Sequence, residues 1–302
     1  MKATRAIALY VVAADALTAL LSPFVFWGLR AVGFSFPFER IFGRILMIVA
    51  LGGLWPVLRW IGFRSWNDIG FSRVTNCRRN VFAGLALGAG AYLLAGLASL
   101  ALGARSLNRD VEAGTVVSRF LLFAASGVAV AVIEETFFRG GIQGGLQRDW
   151  RSTIAVVAGS AFYAIMHFFR PVHGFVESAN VHWDTGFAYL ARLFSNVPAT
   201  PQFGAQFTTL LLVGVVLGAA YVRTGTLYLS MGLHAGFVFA LKSFAFLTVA
   251  GCGSFAQWLG AADSPTANLL TWPFLLVLIF VVVRTGRPDT DERACHMDES
   301  PR

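Results

Sequence analysis

Apolar residues run in eight long blocks with short polar interruptions between them, at 7–28, 42–62, 81–103, 117–138, 152–169, 203–222, 226–249 and 267–284. About 20 apolar residues carry an α-helix across the hydrocarbon layer, so the pattern predicts an all-α polytopic membrane protein of about eight transmembrane helices. No internal repeat interrupts it, and residues 1–284 read as a single transmembrane domain followed by a polar tail, 285–302. In the interruption at 63–80, RSWNDIGFSRVTNCRR sets Trp66, Ile69 and Phe71 among arginines, which suits a short segment at the cytoplasmic interface. The longest interruption, 170–202, contains GFAYLARLF, whose apolar residues fall at helical spacing; it reads either as a second interfacial helix or as an ordinary surface loop.

Composition agrees: 302 residues that are 56% hydrophobic and only 13% charged, with a mean hydropathy of +0.65, are too apolar for a soluble domain of this size. The net charge of +8 does not point to nucleic acid, because the basic residues are scattered over short loops with no aromatic-interleaved patch. Their distribution sets orientation instead. With both termini cytoplasmic, the inner segments carry twelve basic residues against eight outside, and the dense 59–79 stretch weighs most, so this arrangement is expected, as in a bacterial cytoplasmic membrane. Lys2 and Arg5 before an apolar run resemble a signal peptide, but Asp15 in its middle suits a retained first span facing neighbouring helices. Cys77, Cys252 and Cys295 show no paired spacing and read as packing or surface residues.

Chemistry concentrates in VAVIEETFFRGG, residues 130–141, where two carboxylates and a guanidinium interrupt a membrane-spanning stretch. Ionisable groups at such depth cost roughly 2.5–3.5 kcal/mol on insertion scales, so they mark a functional site unless they pair for structure alone. Glu135 and Arg139 stand at i and i+4 and can close such a pair. Glu134 points some 100° away and has Val130 and Phe138 as its own i−4 and i+4 neighbours, so its partner must come from another helix. Two histidines offer themselves: His167, with Tyr163 and Ser160 on the same face, and His234 in LYLSMGLHAGF. A hairpin turning at Asp149–Arg151 brings Glu134 level with His167, and the next turn on that side, Arg223–Gly225, leaves His234 at about the same depth, ten residues or roughly 15 Å in.

A carboxylate and two imidazoles at one level admit two mechanisms. Glu134 acts as a general base on a water that attacks a carbonyl while the imidazoles position it and stabilise the oxyanion, or the three groups hold zinc with an open site for water. No HExxH or comparable local ligand pair is present, which favours the cofactor-free reading. Ser160 and Ser230 lack a nucleophile elbow and read as packing hydroxyls. The glycines at 140, 141, 144 and 145 could break the fourth helix as in a transporter, but the matched halves of a transporter are missing.

On these residues the segment from about 125 to 242 resembles the CAAX protease and bacteriocin-processing (CPBP, or Abi) family of intramembrane endopeptidases; the family-like core is taken as about 117–249. The family's Glu-Glu-x-x-x-Arg motif matches Glu134, Glu135 and Arg139, followed by Gly140; Phe-x-x-x-His matches Tyr163 to His167 with Tyr for Phe; and RTGTLYLSMGLH, containing Thr224, Gly225, Leu227, Ser230 and His234, resembles the lead into the third motif. Four residues after His234 stands Val238 where the family commonly has Asn or Asp, and Lys242, two turns beyond His234, is a candidate replacement donor or a residue that snorkels to the outer interface. The resemblance implies an eight-span fold with a cavity open to cytoplasm and lipid. It also implies peptide-bond hydrolysis of a membrane-associated protein or peptide without a metal, with Glu134 and His167 activating water and His234 holding the oxyanion. The rival reading is a non-catalytic immunity or scaffold protein whose polar cluster braces helices or binds a partner, and Val238 is its best argument.

Overall fold

Every apolar block becomes a helix in the computed structural model, which describes residues 2–72, 76–169, 174–176, 180–195, 201–251, 259 and 268–285. In chain order these are α1 (Lys2–Ala31), α2 (Phe38–Trp60), a 3-10 turn (Trp66–Ile69), α3 (Cys77–Ala101), β1 (Arg105–Leu107), α4 (Ala113–Glu135), a π-helical stretch (Thr136–Gln143) with a closing α-turn (Gly144–Leu146), α5 (Ser152–Met166), α6 (Thr185–Ser195), α7 (Pro201–Thr224), α8 (Tyr228–Leu247), β2 (Thr248–Ala250) and α9 (Thr271–Thr285). Six are long and apolar enough to cross a membrane, the fourth running continuously from Ala113 to Leu146. The protein is thus an all-α, multi-pass membrane protein. Cys252, Cys295 and residues 286–302 of the polar tail lie outside the described residues.

Two expected spans are shorter than the apolar runs that announced them. α5 and α9 each have 15 residues, about 22 Å of helix. α5 stops at Met166 because the next amides turn back to i−3 carbonyls, Phe168 to Ile165 at 2.9 Å and Phe169 to Met166 at 3.3 Å, the tightening that ends many helices. His167 therefore sits in the turn after the helix and not within it.

The contacts divide the chain into two compact units. The first comprises Met1–Arg64, Gly145–Trp150 and Ile165–Ala199. In it α1 and α2 pack together and α6 lies on α1, where Gly186 lets the backbones meet: a Cβ there would stand 1.8 Å from the Ala19 carbonyl oxygen. GFAYLARLF is thus a packed helix and not a surface loop, with Tyr189 buried edge-on against Phe38 and Phe42.

The second unit comprises Ser65–Gly144, Arg151–Ala164 and Thr200–Arg302. Its centre is the pair α3–α8. Gly84 and Gly88 on one helix face Gly232 and Gly236 on the other, and a Cβ at any of the four would come within 2.2–2.5 Å of a backbone oxygen across the contact. With no hydrophobic drive between helices in lipid, such small-residue stripes let main chains approach and gain dispersion. α4 packs on α8 from another side, and α7 on α8 and α9. β1 and β2 pair antiparallel, with Arg105 opposite Ala250. The buried Arg105 guanidinium donates to the Thr248 hydroxyl at 2.7 Å and carbonyl at 2.9 Å; burial lowers its pKa.

Candidate active site

Glu135 ends α4 and is fully buried. It accepts a hydrogen bond from His234 Nδ1 at 2.8 Å through Oε1, while its Oε2 lies 3.4 Å from Arg139 Nε. Ser230, one turn before His234, also lies against this carboxylate, its hydroxyl donating to the Leu227 carbonyl at 3.0 Å. The i,i+4 pair expected from the sequence is therefore closed, and it extends into a triad that reaches α8.

Glu134 occupies a different environment. Its side chain keeps 29% of its surface, against none for Glu135, and its Oε2 stands 3.8 Å from His234 Nε2. That exceeds a direct hydrogen bond but lies within the range where one small polar molecule beside both atoms can bond to each. Because Nδ1 is committed to Glu135, the imidazole plane is fixed and Nε2 faces Glu134. Such a carboxylate on the far nitrogen sets tautomer and orientation. Tyr163 lies edge-on to the His234 ring with centroids 6.2 Å apart, and the Arg139 guanidinium lies over the Tyr163 ring, 4.6 Å from its centroid.

The π-helical stretch holds these groups in place. Its wider turns come immediately after Glu135, and π-bulges are frequent at functional sites. Arg139 and Gln143, both about 1% exposed, donate to α7 backbone carbonyls: Arg139 to Gly214 at 3.4 Å and Gln143 to Gly218 at 3.1 Å. Side chains at 214 and 218 would close this contact, since a Cβ on Gly218 would lie 2.6 Å from Gln143 Oε1 and one on Gly214 would lie 2.8 Å from Ser160. Arg139 Nη1 has no hydrogen-bond partner among the described residues. From below, Ile69 is fully buried, its carbonyl oxygen 3.0 Å from where a Gly140 Cβ would stand, and Gly70, at φ +100°, accepts from Leu227 N at 3.0 Å. Ile69 and Gly70 are therefore a buried support for the site, although Trp66 remains exposed as an interfacial residue would.

Among the proposed site residues, then, Glu134, Glu135, Arg139, Tyr163, Ser230 and His234 converge in the second unit. His167 belongs to the first. Lys242 donates to the Ser126 hydroxyl on α4, eight residues from Glu134 and eight from His234, about 12 Å along either helix; its ammonium is not turned to the cluster. Val238, a half-buried apolar residue, supplies no donor one turn past His234. Gln143 and the glycines of α3, α7 and α8 escaped sequence reasoning. The stripes Gly84/Gly88, Gly214/Gly218 and Gly232/Gly236, each four residues apart, were the signal available for them.

Fold and cluster together define a multi-pass helical membrane protein with acid, imidazole and guanidinium groups gathered inside its bundle. The family model of the type II CAAX prenyl endopeptidases, Rce1-like, matches residues 116–240, about two fifths of the chain, and so bears out the resemblance to the CAAX protease family that the motifs carry. No curated protein and no solved structure matches the chain.

Proposed function

We propose that this protein is an intramembrane endopeptidase that hydrolyses a peptide bond of a membrane-associated protein or peptide, with Glu134 as general base. The observation that carries the proposal is the 3.8 Å gap between Glu134 Oε2 and an imidazole locked from behind by Glu135. The family match over 116–240 supports the reaction class.

In this reading Glu134 takes a proton from a water, whose oxygen adds to the scissile carbonyl. The protonated His234 ring donates from both nitrogens, Nδ1 to Glu135 and Nε2 to the developing oxyanion, and Glu134 then returns its proton to the leaving amine. Glu135 and Arg139 are positioning residues. Among the described residues no three His, Cys, Asp or Glu side chains are grouped as a metal requires. The site opens to the cytoplasm, with both termini on that side.

The test compares wild type with Glu134→Gln and Glu134→Ala in the native membrane, reading uncleaved membrane-proximal substrates by terminus-resolved proteomics. Both variants should remain folded and lose cleavage by about 10²–10⁴-fold, the usual worth of a general base. Full activity in Glu134→Gln would falsify the assignment. The competing reading, a non-catalytic brace, draws on the absence of a donor at Val238; it expects both variants to leave the set of cleaved substrates unchanged.

A further inference from the structure

We propose that the first unit carries a seat for one anionic phospholipid, with the headgroup among Lys2, Arg5 and Arg148 and one acyl chain between α1 and α2. Two adjoining cavities make up this seat. The first, about 540 Å³, is lined by those three cations together with Asp149, Trp60 and Ile61. The second, about 310 Å³, is a furrow walled by Ala13, Leu17, Val49 and Val57. Ala6, Leu9 and Trp60 line both, so headgroup space leads into chain space.

Charge selects the headgroup. Three cations face one acid, and that acid is already engaged: Asp149 Oδ2 accepts from Thr4 N at 2.8 Å and from the Thr4 hydroxyl at 2.9 Å. Arg148 is held in position, its guanidinium 4.1 Å from the Phe63 ring centroid and donating to the Gly62 carbonyl at 3.4 Å. Planar arginines suit phosphate oxygens, and a Trp at the mouth suits the depth of lipid headgroups.

Shape selects the chain. Residues 6, 9, 13 and 17 of α1 face 49, 53 and 57 of α2, each set along one helix face. Small residues at Ala6, Ala13 and Gly53 hollow the furrow, and the Tyr10 hydroxyl in its floor is satisfied by the Ala50 carbonyl. From Ala6 to Leu17 is about 16 Å, the depth of one leaflet of a roughly 30 Å hydrocarbon layer. Leu9 and Trp60 are 63% and 73% exposed on its walls, surface for hydrocarbon to cover.

The test offers the purified full chain mixed micelles of phosphatidylglycerol and phosphatidylcholine and counts retained lipids by native mass spectrometry, with folding checked by thermal melting. Wild type should retain one phosphatidylglycerol with at least tenfold preference. Arg5→Gln with Arg148→Gln should erase the preference, and Ala13→Phe, at an exposed position, should cut total retention. Equal retention of both lipids by wild type, or a preference unchanged in the double variant, overturns the proposal. So does release of the lipid by millimolar inorganic phosphate, which would mean an anion site alone, or by a farnesylated peptide with a free carboxylate, which would mean a substrate seat.

Discussion

Glu134 and Glu135 are neighbours on one helix, yet about 100° of rotation gives one a partly open face and the other complete burial between Arg139 and His234. Their substitutions should therefore fail differently. Glu135→Ala leaves a guanidinium and an imidazole buried without their carboxylate, a loss of roughly 3–5 kcal/mol, read as a lower melting temperature in detergent. Replacing Glu135 and Arg139 together by leucine should recover most of that stability while activity stays lost, because nothing then fixes the His234 ring. Glu134→Gln should melt near wild type and still be inactive. Conversely, Lys242→Met should change cleavage little, since its ammonium is bonded to Ser126 well away from His234; a drop comparable to that of Glu134→Gln would return Lys242 to the oxyanion.

At the scale of elements, α8 carries His234 between Gly232 and Gly236, and these are the residues by which it touches α3. A methyl group at Gly232 would meet the Val81 carbonyl oxygen at 2.2 Å, and one at Gly88 would meet that of Leu233 at 2.3 Å. Both atoms are backbone, so the helices must separate. Gly232→Ala should cost about 1–3 kcal/mol and reduce activity about 10²-fold through displacement of the imidazole by something near 1 Å. Gly90→Ala, on the same helix as Gly88 but with nothing within 4 Å, should be neutral or slightly stabilising. Equal melting losses for Gly88→Ala and Gly90→Ala would show that helix propensity, not the α3–α8 contact, is being measured. The π-helical stretch makes a parallel demand on α7, because Arg139 and Gln143 reach its carbonyls only across Gly214 and Gly218.

For the whole molecule, two expectations concern its relation to membrane and medium. Reporter domains fused to either end should both read cytoplasmic, as the excess of inner basic residues predicts; two non-cytoplasmic readings would invert the topology, and one alone would mean an odd number of crossings. Incubating the purified protein with a strong chelator should leave cleavage unchanged, whereas a loss restored by zinc would put a metal-bound water in the role proposed for Glu134.

What the sequence by itself determined follows from quantities additive along the chain. Run length and apolarity sufficed for the order and approximate ends of the eight apolar helices but left 186–194 open between helix and loop, and the cost of charge in lipid singled out 134, 135 and 139 as the candidate site. The turns at Asp149–Arg151 and Arg223–Gly225 were legible for the same reason: polar breaks are local. Tertiary structure decided which acid the His234 imidazole takes. Hydropathy sets how deep a residue lies but not the rotation of one helix against another, and one residue of offset turns a side chain through 100°. Depth put His234 level with Glu134; rotation, set by glycine contacts with α3 and the π-helical stretch beyond Glu135, brought its nearer nitrogen to Glu135. The end of α5 before His167 was likewise beyond an apolar count, since HFF continues the run in composition while the backbone has already turned.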